Sequence, residues 1–140
     1  MHLLIKTQIS GDPEAPGCTR VELTDELMAE LRRRVETVAT LDQSMDEVRC
    51  AIFHVSVDVA THNFEDGQSW DRHFKSPFAV FERNEDAPEL AESHEMDFLY
   101  VAVTPRGSFF FETQDDLGQV FFTEEVHFET LEKLVNAQSK

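Results

Sequence analysis

The chain has 140 residues, with 28 acidic side chains against 12 basic ones, a formal net charge of −16 and a sequence pI near 4.6. A field of that sign repels nucleic-acid phosphates and anionic lipid heads, so direct binding to nucleic acid or membrane is not expected. The composition, 41% hydrophobic with 12 Phe among the aromatics, is too apolar for a disordered chain and suits a single domain over 1–140.

His2 to Ile9 reads as a first strand. Ser10-Gly11-Asp12-Pro13-Glu14-Ala15-Pro16-Gly17 carries enough Gly and Pro to read as a loop. Thr19 to Leu23 is extended, with Val21 and Leu23 on one face. The pattern then predicts a helix over 24–39, capped by Thr24, with Asp25 and Glu26 in the first turn and a stripe of Leu27, Leu31 and Val35. Arg32-Arg33-Arg34 is the only basic cluster, and successive helical residues diverge by about 100°, so it forms no flat patch and suits pairing with neighbouring acids.

Thr40 to Glu47 is a polar connection anchored by Leu41 and Met45. Val48 to Ala60 is the longest strand signal: alternation puts Ala51, Phe53, Val55, Val57 and Val59 on a core face, with His54, Ser56 and Asp58 opposite. Thr61 to Pro77 is irregular, Phe78 to Glu82 is a short strand, and Arg83 to Glu95 is an acidic connection in which Pro88 suits the start of a short helix. From 97 to 123 three strands follow one another as a meander, the first two joined by a turn at Pro105-Arg106-Gly107. A second amphipathic helix is expected over 124–137, capped by Thr123, with Phe128, Leu131, Leu134 and Val135 as its stripe.

The fold class is therefore α+β: a mainly antiparallel sheet of about five to seven strands with two helices. Both faces of the meander are apolar, Leu99, Val101 and Val103 on one side and Phe98, Tyr100 and Ala102 on the other. Two helices cover one face, so the other calls for the loops between Thr61 and Glu95 or for a second copy of the chain, which makes a homodimer a candidate assembly.

Cys18 and Cys50 have neither a metal-binding nor a framework spacing, which points to two thiols in a reducing compartment. Cys18, after the Gly- and Pro-rich stretch, reads as an exposed thiol and Cys50 as a packed one. The N-terminal apolar run is too short for a signal peptide and no stretch reaches the ~20 apolar residues of a membrane span, so a cytoplasmic protein is expected.

Two constellations carry chemistry. From Glu82 to Asp97, seven carboxylates stand against Arg83 alone, a net −6. Glu85, Asp86, Glu89, Glu92 and Glu95, with Asp115 and Asp116 further on, form a candidate acidic surface that steers a basic protein partner or occupies its nucleic-acid channel. The leading expectation is thus an acidic protein-binding module, an inhibitor or nucleic-acid mimic being one form of it. The alternative is a small metal-dependent enzyme or ligand-binding domain built on His54, Asp58, His62 and His73, residue types that hold Zn²⁺ or Fe²⁺. Their spacing matches no metal motif, Ser56 has no nucleophile elbow around it, and no phosphate loop is present, so no cofactor is assigned.

Overall fold

The computed structural model describes residues 1–9, 12–42 and 46–138, apart from the side chains of 12–16. Met45, one of the two expected anchors of the 40–47 connection, lies outside the described residues; the other, Leu41, is exposed. In chain order the elements are β1 (His2–Ile9), β2 (Asp12–Glu22), α1 (Asp25–Val38), β3 (Val48–Ala60), α2 (Trp70–His73), β4 (Phe78–Phe81), a 3₁₀ turn (Asn84–Asp86), β5 (Ser93–Val103), β6 (Ser108–Gln114), β7 (Val120–Thr123), β8 (Val126–His127) and α3 (Phe128–Gln138).

The domain is α+β with an antiparallel sheet, of eight strands among the described residues. Six of these, in the order β1-β2-β3-β5-β6-β7, close on themselves as a barrel. Strand β1 makes the closure. One of its edges pairs with β2 along its whole length; the other pairs with β4 over His2–Ile5 and with β7 over Thr7–Ile9. Closure removes sheet edges that would otherwise stand open. The β5-β6-β7 meander forms as expected, and Gly107 (φ 86) ends the Thr104–Gly107 turn, its N–H donating to the Thr104 carbonyl at 3.1 Å.

Three local readings are corrected. The expected loop from Ser10 to Gly17 is, over Asp12–Gly17, the first half of β2; Ser10 and Gly11 lie outside the described residues. Proline is tolerated there because β3 joins β2 only from Cys18 onward, so the Pro13 and Pro16 half borders no second strand. The C-terminal helix starts at Phe128 and not after Thr123, because Val126 and His127 first pair with Phe109 and Ser108 as β8. Thr123 is a β7 residue whose Oγ1 accepts the Phe111 N–H at 2.8 Å, so it caps nothing. The turn at Asn84–Asp86 ends before Pro88, which starts no helix.

The α1 reading holds: the Thr24 Oγ1 accepts the Leu27 N–H at 3.1 Å, and Leu27, Leu31 and Val38 are buried. Arg33 and Arg34 pair with Glu30 of α1, and Arg32 with Glu132 of α3. The α1 and α3 stripes join the inward residues of the strands, among them Leu3, Ile5, Leu99, Val101, Phe109, Phe111 and Phe121, in one core. At the β1–β7 junction the inner wall is lined by threonines whose hydroxyls are satisfied: Thr7 and Thr19 bond each other at 2.8 Å.

A second, smaller core lies on the outer side of the barrel. Leu4 of β1, Cys18 of β2 and Ala60 of β3 are covered there by Phe64, Trp70 and Leu90, with Phe74 and Phe81 packed alongside. The long connection therefore folds over the sheet at β1, β2 and the end of β3, and not over the outer face of the meander, where the sequence expectation had placed it. The Trp70 Nε1 donates to the Ser76 carbonyl at 2.8 Å, Phe64 bridges to Leu90, and Arg20 of β2 reaches Asn84 at 3.0 Å. Gly17 sits under this lid with no room for a side chain: a Cβ would stand 2.9 Å from the Ala60 carbonyl oxygen.

Candidate functional site

The lid covers only β1, β2 and the end of β3. The outer face of the other strands carries aromatic residues that no element among the described residues covers. The register explains how they meet: Phe53 faces Phe98 and Ala51 faces Tyr100 across β3 and β5, Tyr100 faces Glu112 on β6, and Glu112 faces Phe122 on β7. Phe53 and Phe98 stack with centroids 6.0 Å apart, and Phe98 meets Tyr100 edge to face at 6.1 Å. Phe53 is 65% exposed, Tyr100 42% and Phe122 38%, with Phe98 and Phe110 half-buried. At the centre the Arg49 guanidinium pairs with the Glu112 carboxylate.

Phe53 belongs to this face because β3 carries a bulge. Five steps of β3, from Ile52 to Val57, oppose three steps of β5, from Leu99 to Met96, and His54 within the bulge takes a left-handed φ of 61°. Alternation changes phase across it. Before the bulge Cys50 and Ile52 pack on the core; after it Val57 and Val59 do. The expected core face of Ala51, Phe53, Val55, Val57 and Val59 is thus correct from Val55 onward, and Phe53 is turned to solvent.

Carboxylates border the face. Glu92, Glu95 and Asp97 are exposed along β5 and its approach, and none lies within ion-pair distance of a cation among the described residues. Extending the β5–β6 register two residues beyond Tyr100–Glu112 puts Gln114 beside Phe98, so the β6–β7 turn flanks the same end of the face. Asp115 organises that turn, its Oδ1 accepting the N–H groups of Leu117 and Gln119 at 3.0 and 2.8 Å. Asp116 is exposed, and Leu117 projects at the tip, 94% exposed. Of the other acids singled out in the sequence, Glu85 and Asp86 pair with Arg83 at 3.6 and 3.2 Å. The Glu89 carboxylate beside Glu65 raises the Glu65 pKa, by hydrogen bonding to its protonated form and by like-charge repulsion of its ionised one. Glu65, Glu85 and Glu89, with Arg20 and Ser93, line an open polar groove beside the lid.

His54, Asp58, His62 and His73 are not brought together. Asp58 accepts from Arg20 Nη2 at 2.6 Å, His73 Nε2 faces Asp66 at 2.9 Å within the lid, His62 is exposed, and His54 sits on the bulge. Among the described residues, no group of three or more His, Cys, Asp or Glu side chains is placed to hold a metal. The alternation that aligned His54, Ser56 and Asp58 in the sequence is interrupted by the bulge.

Cys18 and Cys50 are free thiols. Cys18 is fully buried rather than exposed, and burial pushes its pKa up to about 12. No helix among the described residues is long and apolar enough to cross a membrane. Comparison with protein-family models, with curated proteins and with solved structures finds no match to this chain.

Proposed function

We propose that this chain is an acidic protein-binding module that engages a basic partner. The observation that carries the reading is the uncovered aromatic face of β3, β5, β6 and β7 bordered by Glu92, Glu95, Asp97 and Asp116. Aromatic residues in a contiguous exposed patch supply the desolvated centre of an interface, and a rim of like charge steers a partner of the opposite sign. A partner that fits presents apolar side chains flanked by Lys or Arg. Where that partner itself binds nucleic acid, the same surface acts as an inhibitor by standing in for phosphates.

The test is capture of basic proteins from source-cell lysate at low salt by the wild type and by the Glu92→Lys/Glu95→Lys/Asp97→Lys/Asp116→Lys variant. The expected result is a set of proteins released as salt rises from roughly 50 to 500 mM, which the variant fails to capture. Capture that is flat with salt, or equal for the two proteins, overturns the reading.

A further inference from the structure

Strand β3 has an edge that the barrel does not use. Its pairing with β5 runs from Ala60 down to Val48, interrupted by the bulge, but its pairing with β2 covers only Val57–Ala60. Over Val48–Phe53, one row of backbone N–H and C=O groups therefore has, among the described residues, neither a strand partner nor a turn or loop hydrogen bond. Such a row is a template for another strand. Nothing in the segment blunts it by repulsion: Val48-Arg49-Cys50-Ala51-Ile52-Phe53 contains no carboxylate and is net +1 in a chain of −16.

We propose that a second copy of this chain pairs along this edge, β3 against β3, antiparallel about a two-fold axis at Ala51. The axis follows from the faces. Two copies related by a two-fold normal to the sheet place outward residues opposite outward ones, so the axis falls on a residue and not between two. Centred on Ala51, the pairing sets the Arg49 side chain of each copy, whose guanidinium pairs with Glu112 of that same copy, alongside the exposed Phe53 ring of the other, and Cys50 against Ile52 on the inner side. Centred on Cys50, it would set the Glu47 carboxylate against that ring instead. The small Ala51 side chain lets the strands approach at the axis, and the His54 bulge ends the pairing just beyond Phe53. The two aromatic faces then run on as one surface, with both Phe53 rings near its centre.

This pairing is independent of the acidic rim, and salt separates the two. Two copies each of charge −16 repel, so added salt tightens the dimer, whereas it weakens capture of a basic partner.

The test is sedimentation equilibrium with light scattering on the wild type, on Ala51→Glu, on Ala51→Lys and on an equal mixture of the two variants. The expected result is a wild-type particle of about 32 kDa, twice 16.1 kDa. Each variant alone is expected to be monomeric, because like charges meet at the axis, and the mixture restores a dimer because opposite charges then meet. Restoration also shows that both variants are folded. A wild type that stays monomeric up to about 1 mM, a stoichiometry other than two, a dimer indifferent to residue 51, or a mixture that stays monomeric overturns the proposal.

Discussion

Phe53 and Phe98 stack across β3 and β5 at 6.0 Å and 28°, at the last paired position before the His54 bulge. The stack exists because the bulge turns Phe53 outward; without it, the alternation of β3 would send that ring into the barrel.

The bulge is held at the cost of a non-glycine residue at φ 61°, a conformation that costs an L-residue about 1–2 kcal/mol and glycine much less. The His54 side chain is exposed and, among the described residues, engages in no ring contact or hydrogen bond, so little is lost on its removal. His54→Gly is expected to raise stability by ~0.5–1 kcal/mol in urea unfolding, with the Phe53 exposure unchanged. A loss of stability would show that the imidazole itself holds the bulge.

Trp70 is the largest side chain of the small core under the lid, 2% exposed and hydrogen-bonded to Ser76. Trp70→Ala is expected to cost roughly 3–5 kcal/mol, with the loss falling on the lid. Hydrogen exchange checks this: protection over 61–92 should drop well before that of β5 and β6. Uniform loss across the chain would mean that lid and barrel unfold as one unit.

Gly17 lies where β2 passes beneath the lid, so Gly17→Ala drives a methyl into the Ala60 carbonyl. The contact is with backbone and not with a flexible side chain, so the strands must separate. A destabilisation of ~2 kcal/mol or more is expected in chemical unfolding. A neutral result would require the β2–β3 pairing at Cys18–Ala60 to part without cost.

Cys18 titrates near 9.0 when unfolded and near 12 when buried, so the folded state keeps its proton longer. Its contribution is intact below about pH 9.0 and is lost as pH climbs toward 12, since only the unfolded thiol ionises in that window. Stability of the wild type minus that of Cys18→Ala should therefore decline over that range. Thiol labelling gives a second check: Cys50, half exposed, reacts first, and Cys18 reacts only on unfolding.

Much of this fold was legible where local chemistry and tertiary demand agree. The Thr24 cap, the Leu27–Leu31 stripe, the Thr104–Gly107 turn and the three-strand meander each follow from short-range rules, and the structure has them. The failures lie where distant contacts decide. Pro13 and Pro16 read as breakers because only the pairing of β2 with β1 makes a strand of them. Thr123 looked like a cap because nothing local reveals that it closes the barrel against Thr7. At the candidate site the acids were legible as composition, but the aromatic face was not. A periodicity argument cannot see the phase change at His54, and that change alone moves Phe53 from core to surface. The one local signal was apolar residues on both sides of the meander.

The closure of β1 on β7 joins Thr7 to Thr123, positions 116 apart in sequence (123 less 7). During synthesis the first strand can hold β2 early and β4 later along His2–Ile5, yet the Thr7–Ile9 end of that second edge stays bare until nearly the whole chain has left the ribosome. Folding by so non-local a seam is slow. The N-terminal hairpin is thus the segment that a chaperone, or a neighbouring nascent copy, has longest to find.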